Sequence, residues 1–433
     1  MLAQLLWVMV LALVLVLLST GPGLRRNYPY VWWCLVGYPV TVVRVRLTWR
    51  RLTTNLGLAV AKRPGRVLLG DMVVRGDPLR PVPPRIGLPK LRRGGLDVTV
   101  RLHPGQVPEH FLSTADALTH AWRVHAVRLF SDDRGFVTLS ALAWDPLRAP
   151  VVPYQLKQRA LRAVVGLLED GRAWVIDFRK APHWLIVGAT RSGKSTLIAS
   201  LVKELAPQRV ALFGIDLKGG MELSLFEDRL SALASTRAEA ARLLAELVAE
   251  TEARMQLCRS VGARSIWDLP AKLRKTPIVV IVDEVAELYL MATREDNAEV
   301  GEISTNLLRL AQLGAALGVH LVVAGQRVGS DLGPGVTALR AQLAGRICHR
   351  VSDPGTAEMA LGDLNKDALA AAQRITLAEQ GVAITTDADG QWLRARSIHI
   401  TPEQARRMAR KYARLAPSWP GLHTPEPDEG VYV

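Results

Sequence analysis

The chain has 433 residues, 49% of them hydrophobic, which allows two or three domains with a substantial core and excludes a disordered protein. Lys and Arg number 55 against 40 Asp and Glu, and the formal charge of +15 points to a polyanionic partner, either nucleic acid or an anionic lipid surface. Cys34, Cys258 and Cys348 stand far apart without paired spacing, which argues against a zinc site or a disulfide framework.

Residues 1–18 are uncharged and mostly Leu, Val, Ala and Met. As a helix they cover roughly 27 Å, close to the ~30 Å hydrocarbon core of a bilayer. Without a positive leading region they are expected to be a transmembrane helix rather than a cleaved signal. A second uncharged stretch, 27–43, carries Tyr28, Tyr30, Trp32, Trp33 and Tyr38, and Arg44, Arg46, Arg50 and Arg51 follow it. The aromatics suit an interfacial belt and the arginines the cytoplasmic side. Either a two-span hairpin, the favoured reading, or one span with an interfacial segment results. Residues 1–45 are thus expected to anchor the chain in the cell membrane, with the body cytoplasmic.

From Arg44 to Arg101 there are 14 Lys or Arg against three acids, so the basic excess is N-terminal. Residues 46–95, with the run Pro81-Val82-Pro83-Pro84, are expected to form a basic linker. Alternation over 96–102 predicts a strand, 113–124 a helix, and 126–130 and 136–142 two more strands, which together make a small α+β domain over 96–150. From 151 to 400, apolar strands at Trp184–Val187, 210–215, Ile278–Val282, 319–324 and 345–351 alternate with long helices. That pattern predicts an α/β body with a parallel sheet covered on both faces. Ser235 and Thr236 are placed to cap a helix whose stripe includes Leu243, Leu244 and Leu247.

The run Gly188-Ala189-Thr190-Arg191-Ser192-Gly193-Lys194-Ser195 follows an apolar strand and opens an amphipathic helix, the context a phosphate-binding loop requires. Its backbone N–H groups would cradle ATP phosphates, with Lys194 reaching the β and γ oxygens, Ser195 ligating Mg²⁺ and Thr196 closing the nucleotide-binding run. Ile278–Val282 then Asp283-Glu284 reads as a buried strand ending in acid. Asp283 would hold the Mg²⁺ shell and Glu284 would deprotonate the attacking water. Gln326, at the end of the 319–324 strand, lies where it could contact the γ-phosphate or that water.

These blocks, with Ile215-Asp216-Leu217-Lys218 and the later run through Arg346, His349 and Arg350, resemble the FtsK/SpoIIIE motor, and within it the transfer proteins of actinomycete plasmids and integrative elements. The resemblance spans about 150–400. It implies a RecA-like P-loop motor that assembles as a ring, expected to be a hexamer, with double-stranded DNA in the pore and ATP at subunit interfaces. Where related motors place an arginine acting on the neighbour's γ-phosphate, this chain has Ala315, which leaves Arg346 or Arg309 for that role. Residues 401–433 hold one basic helix and an acidic tail, too little for a winged helix. The expected function is membrane-anchored, ATP-driven DNA translocation in conjugation. The alternatives are a protein-export ATPase of the type VII kind and a non-hydrolysing ATP-binding scaffold.

Overall fold

The computed structural model describes residues 23, 27–62, 80–92, 94–131, 133–148, 160–291, 296–362, 366–386 and 392–419. The first apolar segment, 1–18, and the acidic tail after 419 lie outside them. The chain divides into two compact units, Met1–Pro146 and Leu147–Val433.

In the first unit, Pro29 opens a helix that passes through a π turn at Trp33–Gly37 into α1 (Tyr38–Asn55). Trp33, Gly37, Thr41, Val45, Trp49 and Thr53 are buried, one at every fourth position. Against 3.6 residues per turn that spacing drifts by roughly 40° a step, and the wide π turn gives part of the drift back. The stripe packs on an antiparallel sheet of β1 (Arg85–Ile86), β2 (Lys90–Arg92), β3 (Gly95–Arg101), β4 (Ala126–Phe130) and β5 (Phe136–Leu142). The order is β1-β3-β5-β4, with β2 also on β3. Helix α2 (Ala115–Trp122) adds Leu118 and Trp122 to the same core.

Of the aromatics expected at a membrane interface, Trp33 and Tyr38 are tied into this unit, while Tyr28 and Tyr30 are exposed. Trp33 Nε1 donates to Gly95 O at 3.1 Å, Trp49 Nε1 to Pro84 O at 2.8 Å, and the Tyr38 hydroxyl to Pro89 O at 2.7 Å. Among the described residues no helix is long and apolar enough to cross a membrane. The second span of the hairpin reading is thus not borne out: Arg44, Arg46, Arg50 and Arg51 continue the same helix, and its apolar side chains serve two faces. One face is the buried stripe. The other exposes Val31, Leu35, Val43 and Leu47. A cut after residue 60 would strip Trp33, Val45 and Trp49 from the core, whereas one after 22 spares them. Trp49→Ala is expected to cost about 3–5 kcal/mol of this unit's stability, read as a lower urea midpoint. An unchanged midpoint would mean the helix is not part of the folded unit.

The second unit is built on a ten-stranded sheet. In chain order its strands are β6 (Arg162–Leu168), β7 (Ala173–Asp177), β8 (Trp184–Val187), β9 (Ala211–Ile215), β10 (Ala232–Ala234), β11 (Ile278–Val282), β12 (Val319–Gly325), β13 (Gly345–His349), β14 (Val382–Thr386) and β15 (Trp392–Ser397). Their spatial order is β10-β9-β11-β12-β8-β13-β14-β15-β6-β7. The first six are parallel, with β8, β9, β11 and β12 buried along their whole length, as a sheet covered on both faces demands. The last four run antiparallel, so the sheet is mixed rather than purely parallel.

Helices α3 (Lys194–Leu205), α4 (Arg237–Val261), α5 (Asp296–Leu317) and α6 (Val336–Gln342) belong to the parallel part. Thr236 caps α4 in a reciprocal box: its side chain accepts from Glu239 N–H, while Glu239 accepts from Thr236 N–H. Leu243, Leu244 and Leu247 of α4 meet Ile303, Leu307 and Leu310 of α5 in the core. The last helix, α7 (Pro402–Lys411), is capped by Thr401. Beyond it Trp419 stacks edge-on to Phe213 at 4.9 Å and donates to Glu246 at 2.9 Å.

Three histidines are almost wholly enclosed around β8. His183 Nδ1 accepts from Leu321 N–H at 3.0 Å. His320 and His349 face carbonyls, those of Pro182 (3.1 Å) and Val382 (3.0 Å), which makes their Nδ1 atoms donors. Every Nε2 in the set is buried without a partner. Burial pushes each imidazole down to about 4.

Candidate nucleotide-binding site

Strand β8 ends at Val187, and the next six residues wrap before α3 begins at Lys194. Gly188 N–H donates to Gly325 O at 3.2 Å and Ala189 N–H to Arg350 O at 2.9 Å, so both flanking strands grip the loop. Arg191 and Gly193 take φ of +59° and +112°. A Cβ on Gly193 would lie 2.5 Å from the backbone of Gly381, whose own N–H donates to Ser192 O at 3.0 Å. The turn between the helical layer and β14 thus closes on the phosphate loop from the side. Gly193→Ala is expected to abolish tight nucleotide binding, because it meets both a positive φ and a backbone wall. Wild-type affinity for a fluorescent ATP analogue in that variant would show that the loop tolerates displacement.

Lys194 Nζ donates to Gly188 O at 2.6 Å. Burial lowers its affinity for the proton, and Glu284 and Asp283 oppose that shift. Ser195 and Thr196 are half-buried in the first turn of α3. Asp283 and Glu284, 6% and 7% exposed, follow β11. Burial first, then the neighbouring Asp216 and Glu222, push the Asp283 carboxyl up to about 6. Glu284 Oε1 accepts Gln326 N–H at 3.1 Å, and its Oε2 lies 3.4 Å from Lys218 Nζ. The Thr190 hydroxyl donates to Gln326 Oε1 at 3.4 Å. The residues proposed for nucleotide chemistry therefore converge at the carboxyl ends of β8, β11 and β12, where open α/β sheets bind ligands.

Arg346 is not brought to this loop. It is the second residue of β13, in register with Leu185, and its guanidinium donates to Arg340 O at 2.8 Å. Arg309 is ion-paired with Glu252 at 2.6 Å on the faces of α5 and α4. Asp216 is wholly buried and accepts from the backbone N–H groups of Lys218, Glu222 and Leu223 at 3.2, 2.9 and 3.1 Å, which fixes the turn carrying Lys218. Arg350 was legible only as part of a longer run. Its guanidinium donates to Thr190 O at 3.1 Å, and its place just after β13, the strand beside β8, was the available signal. In the loop after β12, Arg327 pairs with Asp331 at 3.4 Å, and Arg340 of α6 donates back to Val328 O at 3.0 Å.

The oxygen donors Ser195 and Asp283 suit a hard cation such as Mg²⁺. Among the described residues no three His, Cys, Asp or Glu side chains converge on a metal position. A Mg²⁺ held here would take its other ligands from phosphate and water.

Residues 22–143 match the family described as "Actinomycete conjugal transfer protein N-terminal domain", and residues 147–330 match the "FtsK/SpoIIIE family". A "Transfer protein TraSA" of Streptomyces ambofaciens is 41% identical over 391 residues, 88% of this chain and 94% of that protein. A "DNA translocase FtsK" of Sporosarcina ureae is 32% identical over 234 residues, 49% of this chain but 29% of that longer protein. The solved conjugation coupling protein TcpA of pCW3, in its monomer form with ATPγS, superposes with a TM-score of 0.54 at 20% identity, over 85% of this chain and 99% of that one. At that identity the likeness is one of fold. Carrying both matched domains and covering almost the whole of a relative at 41% identity, the chain belongs to the FtsK/SpoIIIE family, among the actinomycete conjugal transfer proteins.

Proposed function

We propose that this chain is a membrane-anchored ATPase that moves double-stranded DNA during conjugative transfer. The observation that carries the reading is the convergence of Lys194, Asp283, Glu284 and Gln326 on one phosphate loop, in a chain whose relatives are named transfer protein and DNA translocase. Lys194 and the loop's N–H groups bind the phosphates of ATP, with Thr190, Arg191 and Ser192 lining the wrap. Ser195 and Asp283 hold Mg²⁺, which when bound offsets charge on the β and γ phosphates. Glu284, kept in place by Gln326 N–H and facing Lys218, accepts the proton of the attacking water. Gln326, steered by the Thr190 hydroxyl, orients that water.

The working assembly is a ring, proposed as a hexamer, in which a neighbour's Arg309 or Arg346 supplies the charge that Ala315 cannot. Residues 1–18 supply the membrane anchor, on sequence grounds. The protein-export alternative draws on a likeness of fold alone, since the EssC ATPases of Geobacillus thermodenitrificans superpose with a TM-score of 0.50 at 16% identity, over 62% of this chain and 53% of theirs. ATP hydrolysis by the full chain is expected to rise several-fold with duplex DNA and not with unfolded protein substrates. Basal hydrolysis that duplex leaves unchanged would overturn the translocase reading while keeping the ATPase.

A further inference from the structure

The first unit has a pocket of about 690 Å³ where strands β1, β3 and β5 meet the turns that follow and precede them. Arg85 and Arg101 stand directly opposite each other on paired strands, and Arg101 is in turn opposite Phe136. Arg134, in the turn before β5, lines the same pocket. All three arginines are exposed, and no hydrogen bond or ion pair engages them among the described residues. Like charges directly opposite on paired strands destabilise a sheet, so the arrangement lacks a structural rationale within the unit itself.

The walls are built rather than loose. His103 N–H donates to Gln106 Oε1 at 3.0 Å, Gln106 Nε2 to Leu58 O at 2.7 Å, and Leu102 N–H to Gly135 O at 2.9 Å. Phe136, 40% exposed, gives the row an aromatic end.

We propose that this pocket grips the phosphate backbone of DNA, a contact outside the motor, resting on the reading that the chain handles DNA. The row spans three neighbouring strands, roughly 10 Å at ~4.8 Å per strand, which suits successive phosphates of a linear polymer better than one head group. Its place also favours DNA over lipid. The bonds from Gln106 to Leu58 and from Trp49 to Pro84 put it at the C-terminal end of α1. Residue 29, the end of that helix which the proposed anchor 1–18 precedes in sequence, is about 40 Å away along 29–55.

The test uses the full chain in detergent, without nucleotide, and a short fluorescent duplex of random sequence at several salt concentrations. In the triple variant Arg85→Gln, Arg101→Gln, Arg134→Gln, affinity at low salt is expected to fall about tenfold or more. The slope of log affinity on log salt should shrink by about 2–3, at ~0.9 per phosphate contact. Basal ATPase activity and melting temperature should hold, since the change relieves a like-charge pair. Wild-type affinity and slope in the triple variant would overturn the proposal alone. Failure of the wild-type chain to bind duplex would overturn both it and the translocase reading. Loss of binding to phosphatidylglycerol vesicles, with duplex binding intact, would reassign the pocket to lipid.

Discussion

Glu284→Gln is expected to bind ATP as the wild-type chain does and to turn it over about 10²–10⁴ times more slowly, the usual loss when a positioned base is removed. The substitution is close to isosteric. A glutamine oxygen still accepts the Gln326 N–H that Glu284 Oε1 accepts at 3.1 Å, so the strand ends stay in place and only proton acceptance and the Lys218 ion pair are lost. Lys194→Ala should behave differently, losing tight nucleotide binding because the ammonium that reaches the loop is gone. Equilibrium binding of a fluorescent ATP analogue, followed by single-turnover hydrolysis, separates the two. Glu284→Gln turning over at the wild-type rate would remove that carboxylate from its role as base.

The second large effect is acid lability of the motor unit. His183, His320 and His349 titrate near 4 in the folded chain and near 6.5 when unfolded, the cause in each case being burial. Below pH 6.5 the unfolded chain takes up protons that the folded chain refuses, so stability falls as pH falls, with the loss complete below about pH 4. Each histidine is then worth roughly 3 kcal/mol, and at pH 5 the three together remove roughly 6 kcal/mol, of which the raised Asp283 carboxyl, protonated first in the folded chain, returns roughly 1 kcal/mol. That is comparable with the whole stability of an ordinary domain, about 5–15 kcal/mol. Urea midpoints of the motor unit should therefore drop steeply between pH 6.5 and 5. A flat profile over that interval would mean that water reaches the rings.

The phosphate loop was legible because its chemistry sits in eight consecutive residues, and the acid pair because five buried apolar residues announce it. The small domain's strands at 126–130 and 136–142 were read to the residue, since the turn-prone run from Ser131 to Gly135 separates two short β-prone stretches. The stretch 27–43 was read as a span for a physical reason: part of a helix with a stripe buried at every fourth residue, and apolar residues also on its open face, has the composition of a membrane segment. Strands β14, β15, β6 and β7 were hidden in another way. In β15, Leu393, Ala395 and Ser397 are buried between Arg394 and Arg396, a pattern too polar to stand out. Arg350 and Gly381 reach the loop only through strand neighbours that no local pattern reveals.

The sheet order has a consequence for biogenesis. Strands β6 and β7 are the first of the motor unit to leave the ribosome, yet their place is beyond β15, and Arg394 N–H donates to Glu169 Oε1 across 225 residues. At 5–20 residues per second the intervening chain takes roughly 10–45 s to appear. Through that interval the β6 edge that pairs with β15 is an open template for other nascent chains. Synthesis of this protein is expected to lean on holdase chaperones until the last strand arrives, and any truncation before residue 392 leaves that edge permanently unpaired.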